Sequence, residues 1–203
     1  MIIRFGLEIS CDNSEPNRFI YQYRGEIWDF EKEAEGDEPT LKICEIEVLY
    51  VDRARIIDER KSLFAAMDSV SSETMECYEA LIDQGSGRWK CEVEALVGED
   101  ALVRDNLLLI SFLRIEERFR GKGLGAKVVD QVIRTFGSSC GVIACAPLPP
   151  QYIGYDPPQR ASERKTPGYE GKRITAFEKV AAFWKGVGFR NLLSSDVYVL
   201  APE

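Results

Sequence analysis

The chain has 203 residues, enough for one well-buried core. Its hydrophobic fraction of 45% and charged fraction of 30% are those of a globular protein, not of a disordered one. A net charge of −8 argues against non-specific binding to nucleic acid or to an anionic membrane, since both need a basic surface. There is no histidine, which excludes Ser-His-Asp and Cys-His catalysis, argues against a zinc enzyme and leaves no metal site expected. Acid–base work falls to carboxylates, Tyr, Lys, Cys or water.

The six cysteines form no C-x-x-C pair, no basic segment precedes an apolar one at the start, and the apolar runs fall far short of the roughly 18 residues of a membrane span. Reduced thiols in a cytoplasmic protein are expected. The acid excess lies early: residues 1–60 carry fifteen Asp or Glu against eight Lys or Arg.

Residues 2–10 alternate, with Ile3, Phe5, Leu7 and Ile9 on one face. Residues 19–30 are rich in aromatics and 41–51 in β-branched and aliphatic types, so three antiparallel strands are expected. The acidic segment from Glu31 to Pro39 reads as a solvated loop. Two helices are expected, over Asp58–Met67 and Ser72–Ile82, the second ended by Gly85-Ser86-Gly87. Residues 88–104 fit a helix or a strand.

The chain is organised around residues 106–136. The apolar run from Leu107 to Ile115 reads as a buried strand. Glu116-Glu117-Arg118-Phe119 makes a charged turn, and Arg120-Gly121-Lys122-Gly123-Leu124-Gly125 follows. Leu124, Val128, Val129, Val132, Ile133 and Phe136 then recur at the spacing of one helix face. A glycine-rich turn at a helix start presents unpaired N–H groups and the positive end of the helix dipole, which favour phosphate oxygens. Gly141 to Ala146 reads as a second buried strand, parallel to the first because a helix joins them. Residues 151–174 make a long loop with a net charge of +2, read as a lid or a mobile segment. Thr175 to Lys185 is the last helix, with Thr175 and Glu178 as its capping box, and 196–200 is a closing strand.

Gly121, Gly123 and Ala126 satisfy a loose G-x-G-x-x-A pattern, but the acidic residue of a dinucleotide site is missing and the strand lies too far from the glycines. No Gly-Lys-Ser/Thr occurs, so the turn is not a Walker A loop. The order Arg120-x-x-Gly123-x-Gly125 after a long apolar strand, then Phe183-Trp184 and Gly188-Phe189 about 60 residues on, resembles the GNAT superfamily of acyl-CoA-dependent N-acetyltransferases. The resemblance covers residues 106–200.

That resemblance implies an α/β fold. A mixed, mostly antiparallel sheet would contain one splayed parallel strand pair and be flanked by helices, with residues 1–55 as an antiparallel extension packed on a domain of 56–203. It implies acetyl-CoA as the cofactor. Its pyrophosphate would be held by Arg120, Gly121, Lys122, Gly123, Leu124, Gly125 and Ala126, its pantetheine arm by the strand edge at Leu113, Arg114 and Ile115, and Trp184 would pack beside it. The acyl group would pass to an amine by direct attack on the thioester. Two features depart from the family pattern. Trp184 stands where many members have the Tyr that protonates the leaving thiolate, and Phe177 stands near the place of a common Asn. Tyr198, Tyr152, Tyr155 or solvent are the candidate acids, and Glu116, Glu117 or Asp105 the candidate bases. Glu116 and Tyr198 are carried forward as the catalytic pair. The expected partner is a small-molecule amine or a Lys-bearing acceptor, with no nucleic acid and no membrane, on a monomer or homodimer. The competing readings are a coenzyme-A-binding module without catalysis and a dinucleotide-dependent oxidoreductase.

Overall fold

A computed structural model describes residues 2–8, 16–29, 41–99, 103–149 and 169–202. The architecture is α/β: one mixed sheet of seven strands, flanked by helices on both faces. The N-terminal strands β1 (Ile2–Glu8), β2 (Ile20–Asp29) and β3 (Leu41–Val51) pair as an antiparallel meander. Strand β3 then pairs antiparallel with β4 (Asn106–Ile115), so the meander and the central strands share one sheet. Strand β5 (Cys140–Cys145) runs parallel to β4 because α5 (Leu124–Phe136) connects them. Beyond β5 come β7 (Tyr198–Leu200) and, at the edge, β6 (Arg190–Asn191), both antiparallel.

Strand β4 alternates between two cores, which is why it reads as an unbroken apolar run. Leu107 and Leu109, with Val142 and Ala144 of β5, pack against the short helices α1 (Arg53–Asp58), α2 (Leu63–Asp68), α3 (Ser72–Leu81) and α4 (Cys91–Val97). Leu108 and Ile110, with Ile143 and Cys145, pack against Val128, Val129 and Val132 of α5 and against Trp184 of α6 (Tyr169–Gly186).

Two helix boundaries differ from the sequence reading. The helix expected from Asp58 to Met67 starts only at Leu63, as α2, and a separate helix, α1, ends at Asp58. The chain leaves α1 through Arg60, whose φ of 53° lies in the left-handed region, and Ser62 then caps α2 by accepting from the Ala65 N–H at 3.1 Å. The last helix begins at Tyr169, not Thr175. Thr175 does not cap it; its hydroxyl donates to the Gly171 carbonyl one turn back, at 2.9 Å. Residues 88–104, open in the sequence, contain α4, and Trp89 bridges to Ile82 across the turn that holds Gly85 and Gly87. The rest of the expected 151–174 loop lies outside the described residues, as do Tyr152 and Tyr155. Among the described residues, no helix is long and apolar enough to cross a membrane.

Candidate functional site

The site starts from a mismatch between β4 and its two neighbours. On the β5 side, parallel pairing runs from Asn106↔Cys140 to Ile110↔Cys145 and stops, while β4 continues to Ile115. On the β3 side, Val48 pairs with Ile110 and Glu47 with Phe112, so Ser111 is bulged out of the ladder. The extra residue shifts the side-chain parity. Leu113 and Ile115, odd-numbered, follow the even-numbered Leu108 and Ile110 onto the α5 face.

The Glu116 N–H donates to the Ile43 carbonyl at 2.9 Å, on the β3 side. The two-residue alternation of an antiparallel pair then turns the N–H and C=O groups of Leu113 and Ile115 to the opposite edge, where β5 has ended. The Ile115 carbonyl there accepts from Arg120 Nε at 2.8 Å. Among the described residues, the other groups of this edge have no backbone partner and could take a ligand with amide character.

This edge forms one wall of a cleft of about 1180 Å³, above the roughly 300–1,000 Å³ of ordinary small-molecule sites. The glycine turn and the start of α5 form a second wall, and α6 the third. Gly121 and Gly123 both have φ of 72°, a conformation that glycine adopts without cost, and a Cβ at either would meet nothing within 4 Å. The backbone of this turn is therefore bare toward the cleft. Gly123 is the N-cap of α5, no side chain caps the helix, and the first backbone bond there is Lys127 N–H to Gly123 C=O. The amides that precede Lys127 and the positive end of the dipole together favour an anion. Gly125 has a different reason to be glycine: a Cβ there would lie 3.0 Å from the Phe183 ring of α6. The two helices close the floor of the cleft through that contact.

Among the described residues, the charged groups lining the cleft are Arg120, Lys172 and Lys179, and no carboxylate lines it. In a protein of net charge −8 this is a local reversal, and its field favours anions. An acyl-CoA fits these features: phosphates for the amides and cations, an amide-bearing arm for the strand edge, and an apolar end for Ile110, Leu113 and Trp184.

Of the residues expected at the cofactor, Leu113, Ile115, Arg120, Gly121, Gly123, Leu124, Gly125, Ala126 and Trp184 line the cleft. Arg114 and Lys122 do not. Arg114 lies opposite Glu45 on β3 and pairs with the Glu45 carboxylate at 2.8 Å. Lys122 stands over the Phe119 ring at 5.4 Å. Trp184 is 4% exposed and packs edge-on between Phe183 and Phe189, with centroid distances of 5.2 and 5.0 Å. Its indole N–H has no hydrogen-bond partner among the described residues.

The two expected catalytic residues do not meet. Glu116 lies outside the cleft lining, 3.6 Å from the Arg114 guanidinium. Tyr198 pairs with Cys145 across β7 and β5 and lines a second cavity. Asp105 is engaged by Arg53 at 2.5 Å. The cleft-lining residues missed from sequence include Lys179, Thr175 and Phe183. Lys172, Thr175, Lys179 and Phe183 recur at three- and four-residue steps on α6, a signal that needs the helix to be extended back to Tyr169.

The described cysteines offer no nucleophile here. Burial pushes the thiols of Cys44, Cys77 and Cys140 up to about 12, and that of Cys145 well above its ordinary value. Thiolate, the reactive form, is then scarce at neutral pH. Cys91 is exposed but lies on α4, and no described cysteine lines the cleft.

No protein-family model matches the chain, and no curated protein does. Among solved structures it is similar to one described as the crystal structure of KacTA-DNA complex, with a TM-score of 0.41 and 10% identity over 98% of this chain and 92% of that one. The expectation that excluded nucleic acid is corrected by this finding, since that structure is of a complex with DNA. The exclusion rested on total charge, which averages the surface and misses a local basic patch such as the cleft. At this degree of similarity the likeness carries no argument about what this chain itself binds.

Proposed function

We propose that this chain is an acyl-CoA-dependent N-acyltransferase of the GNAT type, moving an acetyl or other short acyl group from coenzyme A to an amine. One observation carries the reading: β4 outruns its parallel partner β5 and exposes the Leu113–Ile115 edge in a cleft whose charged lining, among the described residues, is cationic. The glycine turn at the start of α5 supports it, because Gly121 and Gly123 bare the backbone to that cleft.

Bound in this cleft, acetyl-CoA would supply an activated thioester. The amides of residues 121–126, with Arg120, Lys172 and Lys179, would hold the phosphates. The Leu113 N–H and C=O and the Ile115 N–H would take the pantetheine amides as an added strand would. Ile110 and Trp184 would exclude water around the acyl end. The strand gap beyond Ile110 and Cys145 would admit the amine in line with the thioester carbon, where orientation supplies much of the rate. A bound amine would replace the thiolate at the acyl carbon, its proton would go to water, since no described carboxylate lines the cleft, and the thiolate would take a proton from solvent.

Trp184 in place of a tyrosine, and the Tyr198 hydroxyl outside the cleft, favour a second reading: a module that binds coenzyme A without turnover. The two separate by measuring thiol release from acetyl-CoA with and without a panel of primary amines. Amine-dependent release above the uncatalysed rate is expected. Tight acetyl-CoA binding with no release for any amine would leave the binding module.

A further inference from the structure

We infer that the second cavity receives the acceptor, and that the acceptor is a polyamine, an aliphatic chain bearing two or more cationic nitrogens. The inference rests on the acyl-transfer reading above. This cavity, of about 630 Å³, lies between α3, the segment after β5, α6 and residues 194–198. It shares Ala146 and Leu148 with the acyl cleft. A chain lying in it therefore reaches the place where β4 and β5 part.

The charge reverses across that threshold. Among the described residues, Glu76 and Glu79 of α3, Glu178 of α6 and Asp196 line the cavity, against the single cation Lys90. Lys90 donates to the backbone carbonyl of Glu79. None of the four carboxylates forms an ion pair among the described residues. An anionic ligand suits one cavity and a cationic one suits its neighbour.

Tyr198 points to a ligand independently of those charges. It is only 6% exposed, it lines the cavity, and its hydroxyl has no hydrogen-bond partner among the described residues. The side chain is enclosed, while its hydroxyl is not among the buried polar atoms without a partner and so remains reachable from the cavity it lines. Its oxygen can accept from an ammonium N–H. With a monoamine, the carboxylates would hold the same nitrogen that must react. With a polyamine, they and Tyr198 hold one ammonium while another nitrogen, farther along the chain, reaches Ala146 and Leu148.

The test titrates spermidine calorimetrically into the full chain, with butylamine as the singly charged control. Acetyl-CoA binding is followed in the same preparations by its thermal shift. Spermidine is expected to bind about tenfold tighter than butylamine. The double substitution Glu79→Gln with Glu178→Gln should weaken spermidine about fivefold and leave the acetyl-CoA shift unchanged. Tyr198→Phe should weaken spermidine about threefold, the share of one hydrogen bond. Equal affinity for the two amines, or a double variant that binds spermidine as before, overturns the polyamine assignment while an acetyl-CoA shift keeps the acyl-transfer reading. Spermidine binding without any acetyl-CoA shift overturns the acyl-transfer reading and the acceptor role with it.

Discussion

Asparagine in place of Gly123 is expected to weaken acetyl-CoA binding about a hundredfold, or about 2.7 kcal/mol, while the protein stays folded. Gly123 has φ of 72°, and asparagine tolerates that left-handed conformation better than other residues with a side chain. A Cβ there meets no protein atom within 4 Å, so the folded chain has room for the new group. That room is the mouth of the cleft, where phosphate oxygens must come close to bare amides. Stability should change by about 1 kcal/mol or less, and calorimetric titration should show the affinity lost. Gly123→Val should lose both, because a β-branched side chain resists positive φ. Wild-type affinity in Gly123→Asn would mean that the turn does not hold the phosphates.

Asp105→Ala should be the most damaging single change outside the cores, and more damaging than Arg53→Met. The Arg53 guanidinium is 5% exposed; it donates to Asp105 at 2.5 Å and to the Gly87 carbonyl at 2.9 Å, and lies 4.8 Å from the centre of the Trp89 ring. Burial already lowers its pKa, and Asp105 opposes that effect. Removing Asp105 leaves a buried charge without its counterion, at a cost of about 2–3 kcal/mol. For a chain of this length that is a fall in Tm of about 4–12 °C. Arg53→Met removes the charge and keeps a flexible stem against Trp89. Asp105 is 46% exposed and Gly87 is exposed, so water can take over both lost bonds. Its cost should be about 1 kcal/mol. Thermal melts of the two variants decide the order, and a larger fall for Arg53→Met would show that packing, not the ion pair, holds this corner.

The glycine turn and the strands beside it were legible because their signals are local. The apolar run from Leu107 to Ile115, the glycines before an amphipathic stretch, and the short run from Gly141 to Ala146 each declare themselves within a few residues. The direction of Arg114 was not legible. It depends on the Ser111 bulge, which exists only through pairing with Glu47 and Val48 on a strand about 60 residues earlier. For the same reason the cleft edge is Leu113 and Ile115 and not three consecutive residues. Tyr198 was noticed as an aromatic hydroxyl on a closing strand. That it lines a second cavity follows from β7 pairing beside Cys145, which no local pattern carries. The start of α6 was misplaced because Thr175 and Glu178 imitate a capping box inside a longer helix. The break at Arg60 was not legible because it turns on a left-handed backbone at a residue other than glycine or asparagine, which no local pattern announces.

The account depends most on the cleft taking an acyl-CoA. The direct measurement is the shift in Tm with acetyl-CoA, coenzyme A and NAD⁺ in parallel. At a hundred times its dissociation constant, a ligand of the folded state adds about 2.7 kcal/mol, a rise of about 5–10 °C for this chain. A rise of that size with acetyl-CoA and with coenzyme A, and none with NAD⁺, is the predicted result. No rise with either coenzyme A species, or a rise with NAD⁺ alone, would contradict it.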